Sequence, residues 1–285
     1  MSNAAKGAFW MIAAAGALTA MAVCIRYLPA YSVLLMIFLR NVINLFLMAP
    51  SILRQGTAMV KTQRLGTHAL RNLFLYSGNV AWFYGVTLIA LADVASLQFT
   101  SPLFTAIIAA AFLGERIGGH RMVAILVGFA GALIIIRPGY LPANPLVYAV
   151  LISAMMNGGV QLVTKHIAGR VSGAVMVFYM NLLILPVTLP FAWANWAWPS
   201  LADLPWVVAV GLFGTLAHVF LARAMKAADA SLVGPVDFMR LPIAASFGWI
   251  LFSEFSDLAT WIGALIIIAA SLFIARREAL RIVGR

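Results

Sequence analysis

Charged residues are scarce in this sequence. They make up 9% of its 285 residues, whereas a soluble globular chain usually carries about 25%. Cysteine occurs once, at Cys24, which excludes an internal disulfide. Acidic residues are rarer than basic ones, with 8 Asp and Glu against 19 Lys and Arg. These shortages exclude a soluble globular domain and a disulfide scaffold, and they predict an integral membrane protein.

Motifs that carry enzyme chemistry are also missing. The histidines His68, His120, His166 and His218 are scattered, without the spacing of metal ligands. No Gly-Lys-Ser/Thr phosphate-binding loop occurs, and no pattern for hydrolysis stands out. We therefore expect no enzyme, no ATP-driven pump, no metal and no cofactor.

Apolar runs fill most of the chain, because 64% of its residues are hydrophobic. A helix needs about 20 apolar residues to cross a bilayer, and runs of this length recur along the sequence. The fold class predicted is an all-α membrane protein with ten transmembrane helices, near residues 7–25, 31–50, 69–90, 93–113, 121–137, 145–165, 172–193, 205–223, 230–252 and 258–275.

Lysine and arginine are distributed unevenly between the two sides of these spans. With the N-terminus inside, Arg26 and Arg137 fall outside, Arg40 and Arg240 lie within spans, and all others face inward. This asymmetry predicts a multi-pass protein of a bacterial inner membrane with both termini cytoplasmic. A nucleic-acid partner would also explain the net charge of +11, but the charge placement favours an orientation signal. The expected partners are the lipid bilayer and a small-molecule substrate, and we expect a monomer.

The two halves of the sequence repeat each other. Three patterns recur in the same order: an Asn with a Pro nine residues later, an Ala-Ser-Leu tripeptide, and a Glu before the last span. They are Asn41 with Pro50, Ala95-Ser96-Leu97 and Glu115, and then Asn181 with Pro190, Ala230-Ser231-Leu232 and Glu254. Because each unit has five helices, the second must enter the membrane from the opposite side. We predict two inverted five-helix repeats, residues 1–140 and 141–285.

Ten short spans and this duplication resemble the EamA-type transporters of the drug/metabolite transporter superfamily. The shared motif is Ala-Ser-Leu, Pro, Gly-Glu-Arg and Gly before a final apolar helix. It is matched by Ala95, Ser96, Leu97, Pro102, Gly114, Glu115, Arg116 and Gly131, and again by Ala230, Ser231, Leu232, Pro242, Glu254 and Gly263. The second copy departs from it, since no Gly-Arg pair flanks its Glu. The resemblance implies transport of small metabolites, with bacterial aromatic amino acid exporters of the YddG type as the first comparison.

Two charges, Asp237 and Arg240, lie in the otherwise apolar ninth span. An unpaired charge at the bilayer centre costs about 2.5–3.5 kcal/mol, and the i,i+3 spacing lets the two side chains pair. Two interpretations stay open. The pair is either a self-neutralising structural contact, or it faces a cavity and meets the charged ends of a substrate.

Three other charged residues are expected to have structural roles. Arg40, halfway through the second span, should snorkel toward the interface or pair with Asn44 one turn on. Glu115 and Glu254 lie at helix ends, where their carboxylates should accept hydrogen bonds from loop amides.

Polar and aromatic side chains recur along the faces of several spans. Steps of four, three and four residues separate Asn72, Tyr76, Asn79 and Phe83, which places them on one helix face. A single amide between helices is more often a packing contact than a ligand contact, so the prediction rests on the cluster. The candidate substrate-binding residues are Tyr76, Asn79, Trp82, Phe83, Gln98, Asn157, Gln161, His218, Asp237 and Arg240.

Taken together, these patterns predict a secondary transporter that moves a small metabolite through a central cavity by alternating access. The aromatic and amide side chains favour a neutral or aromatic amino acid, and the resemblance favours export. The alternatives are a proton-coupled antiporter of cationic drugs, with Asp237 or His218 as proton carrier, and a carrier of riboflavin or a nucleotide derivative. An aspartate paired with an arginine keeps its charge and makes a poor proton carrier, so the partner of Asp237 discriminates between these readings.

Overall fold

The computed structural model describes residues 3–55, 65–113, 119–137, 147–167, 173–228 and 234–283. Within these ranges the chain is helical and contains no strand. The helices are α1 (Asn3–Arg26), α2 (Val33–Gln55), α3 (Leu65–Leu88), α4 (Leu91–Gln98), α5 (Ser101–Leu113), α6 (Gly119–Ile136), α7 (Val147–Ile167), α8 (Gly173–Ala194), α9 (Leu204–Ala227), α10 (Arg240–Phe252) and α11 (Leu258–Val283).

These helices form the ten spans predicted from the apolar runs. Two spans are broken at corresponding places in the two halves. The fourth consists of α4 and α5, and the ninth consists of the 3₁₀ turn Asp237–Met239 followed by α10. Pro102 and Pro242 lie in the first turn after each break, where a missing backbone N–H costs no hydrogen bond. The prolines therefore begin the second half of each broken span.

Helix packing follows the internal repeat. Exchanging the two copies maps α1 onto α7 and α9 onto α3, and the structure packs α1 along α9 and α3 along α7. Helices that map onto each other, α2 with α8 and α6 with α11, pack together. The repeat extends to single bonds, because Asn41 donates to the carbonyl of Ile37 at 2.7 Å and Asn181 donates to that of Val177 at 2.9 Å. The chain is thus built of two inverted five-helix repeats.

The crossing of α6 and α11 depends on two glycines. A Cβ atom built on Gly131 would lie 2.8 Å from the carbonyl oxygen of Gly263, and one built on Gly263 would lie 2.6 Å from that of Gly131. Both distances are too short for a real Cβ contact. The backbones of the two helices therefore approach each other as closely as small residues permit.

Buried apolar residues are packed differently at the two ends of the bundle. We call the end where α1 stops at Arg26 and α10 stops at Phe252 the Arg26 end. One large cluster fills this end and the middle, and it includes Cys24, Leu28 and Ile136. The other end holds three separate small clusters, built around Met11 and Ala224, around Val175 and Phe178, and around Leu103 and Ile274. We infer that space between the helices opens away from the Arg26 end.

Replacing Gly131 by alanine should destabilise the protein by about 1–3 kcal/mol, because the added methyl group must push α6 away from α11. The measurement is the thermal midpoint of the detergent-purified protein. Gly16→Ala is the matched control, since Gly16 is also a helical glycine but has nothing within 4 Å of its built Cβ. An unchanged midpoint for Gly131→Ala would mean that the two backbones are not in close contact.

Candidate substrate-binding cavity

A central cavity lies between helices of both repeats. Its empty space is about 990 Å³ when the part open to solvent is included. Helices α1 to α4 and α7 to α10 contribute to its wall. The polar and aromatic residues that line it are Thr19, Arg40, Asn79, Trp82, Gln98, Asn157, His218 and Arg240. The mixed lining of apolar, aromatic and polar side chains is typical of a site for a small molecule.

Six of the ten predicted substrate-binding residues line this cavity: Asn79, Trp82, Gln98, Asn157, His218 and Arg240. The other four lie outside its wall. Phe83 is fully buried, and Tyr76 packs against the large apolar cluster. Gln161 is an exposed residue of α7, two turns from Ser153. Asp237 lies beside the cavity as the partner of Arg240.

The amides of Gln98 and Asn157 have structural partners as well as a place in the wall. Asn157 donates a hydrogen bond to the Oε1 atom of Gln98 at 3.0 Å, and Gln98 donates to the Oγ atom of Ser153 at 2.9 Å. Gln161 donates to the Oγ atom of Ser101 at 3.1 Å. These bonds attach the break between α4 and α5 to α7. They hold the wall in shape, and they leave fewer free groups for a ligand.

Asp237 and Arg240 form an ion pair, with the Nη2 atom of Arg240 donating to Asp237. The guanidinium of Arg240 also lies 5.4 Å from the centre of the Phe99 ring. Only Arg240 reaches the cavity wall. The pairing expected from the i,i+3 spacing is therefore present, and it leaves one member of the pair facing the cavity.

Arg40 is the residue that the sequence reading assigned wrongly. It neither snorkels nor pairs its guanidinium with Asn44: its side chain is 4% exposed, and the amide of Asn44 meets Thr215 and Asn181 instead. The guanidinium lines the cavity 5.6 Å from the centre of the Phe83 ring. The only sequence signal was a charge in mid-span without a counterpart in the other repeat, where Met180 stands.

At the Arg26 end, an ion pair and its hydrogen bonds connect α1 with α3, α4 and the segment after α10. Arg26 pairs with Glu254, and the two side chains are 10% and 23% exposed. Arg26 also donates to the carbonyls of Val86, at 2.6 Å, and Ile89, and Glu254 accepts the backbone N–H of Leu91 at 3.0 Å. The loop amide was expected for Glu254, but the arginine was not. Since α1, α4 and α10 all contribute to the cavity wall, this contact holds these parts of the wall together at that end. Glu115 lies outside the described residues.

Further contacts reinforce the same end. Asp257 pairs with Arg137 and accepts the backbone N–H of Thr260 at 2.9 Å; these interactions, the backbone hydrogen bond first, lower the pKa of the Asp257 carboxyl. Hydrogen bonds from Ser200 and Tyr31 lower the pKa of Asp203. Both carboxylates therefore stay charged at neutral pH, and the contacts persist there.

The fold and this cavity define a membrane transporter, because two inverted helical repeats surround a central site. Comparison with known families gives the same class. The EamA-like transporter family matches residues 5–137 and again residues 144–276. The chain belongs to this family of the drug/metabolite transporter superfamily, and it is a transporter and not an enzyme.

Curated relatives differ in the compounds for which they are named. An S-adenosylmethionine uptake transporter of Rickettsia felis is 33% identical over 241 residues, covering 85% of this chain and 82% of its own. A riboflavin transporter of Rhizobium johnstonii is 32% identical over 286 residues, covering 97% and 93%. The pseudopaline exporter CntI of Pseudomonas aeruginosa is 29% identical over 254 residues, covering 88% of each chain.

A solved crystal structure shares the fold. It matches this chain with a TM-score of 0.60 and covers 98% of each chain, at 18% sequence identity. The likeness therefore supports the ten-span architecture and carries no argument about the cargo.

Replacing Glu254 by glutamine should loosen the Arg26 end. Losing a charged hydrogen bond weakens a contact by about 1.5–3 kcal/mol, and even 1–2 kcal/mol raises the population of an open state about 5–30-fold. Cys24, which is 3% exposed and two residues from Arg26, is a native reporter. We expect Glu254→Gln to react faster with a maleimide in detergent.

Asp203→Asn is the matched control for this experiment. It removes a carboxylate at the same end, but Asp203 does not contact α10 through any bond in the described part of the chain. Equal labelling rates for wild type and Glu254→Gln, in protein of unchanged monodispersity, would mean that the ion pair does not hold this end closed.

Proposed function

We propose that the protein is a secondary transporter that carries a metabolite bearing an amino-acid group, by alternating access through the central cavity. One observation carries the proposal. The cavity presents two guanidinium groups, amides and an indole ring from Trp82, and no Asp or Glu among the described residues lines it. Such a wall attracts a carboxylate on one side and accommodates an apolar or aromatic body on the other.

Relatives support this choice of cargo. S-adenosylmethionine, for which the Rickettsia relatives are named, joins an adenosyl group to the amino-acid group of methionine. The neutral or aromatic amino acids favoured by the sequence belong to the same chemical class. Riboflavin has no carboxylate, so it would leave Arg40 without an anionic partner.

A proton-coupled antiporter of cationic drugs is supported less well. Such a carrier needs an acid in the transport path that binds and releases protons. Asp237 is held by Arg240, and it does not line the cavity.

Orientation, direction and assembly are further parts of the proposal. The Lys and Arg distribution favours a bacterial inner membrane with cytoplasmic termini, which places the Arg26 end outside and the open side of the cavity inside. Residues 1–140 and 141–285 would act as the two moving units of a monomer. Export is our proposal for direction, although relatives include uptake transporters as well as an exporter.

Counterflow in proteoliposomes tests the proposal. Vesicles are preloaded with unlabelled S-adenosylmethionine, with single aromatic amino acids, with riboflavin or with an organic cation, and entry of the labelled compound is followed with and without a proton gradient. We expect exchange of an amino-acid compound that does not depend on the gradient, because Asp237 is held by Arg240 and does not line the cavity. Empty vesicles are the control.

Other results of this experiment would contradict the proposal. Exchange of riboflavin alone would assign the protein to the flavin carriers of the family. Movement of the organic cation that requires the gradient would establish the antiporter and make Asp237 or His218 a proton-carrier candidate.

A further inference from the structure

Some residues of the cavity wall carry buried polar atoms that have no hydrogen-bond partner. Three of the lining residues carry a buried side-chain atom that has no hydrogen-bond partner: the Nε atom of Arg40, the Nδ2 atom of Asn79 and the Nε atom of Arg240. All three atoms are N–H donors. A buried donor left without an acceptor costs about 1–3 kcal/mol. These donors of the wall residues have no acceptor in the described part of the chain, which favours a ligand that accepts hydrogen bonds.

Arg40 is the strongest of these donors, because its charge has no counterion among the described residues. Each described acidic side chain near the cavity already has a partner: Glu254 pairs with Arg26, Asp257 with Arg137, and Asp237 with Arg240. Asp93 accepts a hydrogen bond from the hydroxyl of Thr260 at 2.7 Å. Arg40 is also the more buried of the two arginines in the wall.

Packing holds Arg40 in position. Its guanidinium lies over the ring of Phe83, and its Cδ atom would be 3.6 Å from a Cβ built on Gly214. The arginine stem therefore lies beside α9 at Gly214, and the guanidinium lies over the ring of Phe83. A side chain fixed in this way keeps its N–H groups directed to one place, which is what tight recognition of a planar anion requires.

We propose that Arg40 binds the carboxylate of the transported compound, with Asn79 and Arg240 as supporting donors. This deepens the proposed function and rests on it. A carboxylate is acceptor-only, has two oxygens and matches the planar fork of a guanidinium. Binding would give Arg40 the counterion that the described residues do not provide.

The test compares each acid with its decarboxylated amine in binding to the purified protein. The probes are S-adenosylmethionine and its decarboxylated form, and tryptophan and tryptamine, with adenosine monophosphate as a phosphate probe. In the wild type, we expect an acid to bind about tenfold or more tightly than its amine. In Arg40→Gln this ratio should fall to about one, and Arg40→Lys should keep part of it because lysine keeps the charge but not the fork.

Arg223→Gln is the matched control, because Arg223 packs over the ring of Trp10 and does not line the cavity. It should bind all probes as the wild type does. If Arg40→Gln does not fold, the acid-to-amine ratio of the wild type and the Arg40→Lys variant decides.

Three results would overturn the assignment of Arg40. They are an acid-to-amine ratio near one in the wild type, a high ratio that Arg40→Gln retains, and binding of adenosine monophosphate without binding of any carboxylate. A failure of the proposed function would give a different result. The acid would bind through Arg40, but counterflow would detect no movement of it.

Discussion

The cost of placing charge in hydrocarbon constrains this protein more than any other interaction. A charge in mid-membrane must be paired, hydrated or directed into a cavity. Arg240 meets this demand with an ion pair to Asp237. Arg40 meets it with a ring and a cavity, and with no acid among the described residues. The exception is informative because each described acid near the cavity is engaged elsewhere.

Some features of the structure recur in both repeats, whereas the charge of Arg40 does not. Two of the elements that obey the repeat are uncharged: the crossing of Gly131 and Gly263, and the bonds of Asn41 and Asn181. They let both halves adopt similar packing. Arg40 departs from the symmetry, since Met180 stands at the corresponding position of the other repeat.

Much of the fold follows from the sequence, because its signals are local. Apolar runs of membrane length give ten spans, and the recurrence of Asn41 with Pro50 gives the duplication. The site is predicted less well. A polar residue on a helix face looks the same whether it meets a neighbouring helix, as Gln161 does, or a cavity, as Asn79 does. The apolar part of the wall, such as Ala22, carries no signal at all. The Arg26 to Glu254 contact joins residues 228 positions apart, which only the packed structure brings together.

Binding of an anion at Arg40 would also bear on how the transporter turns over. Closing the cavity around a bare guanidinium removes water from a charge that has no partner, and this desolvation is expensive. Closing it around a guanidinium and carboxylate pair removes water from a nearly neutral unit. The loaded carrier should therefore cross between its two states more easily than the empty one. That difference favours exchange of one substrate for another over net flow of a single compound. It comes from Arg40, which has no counterion among the described residues.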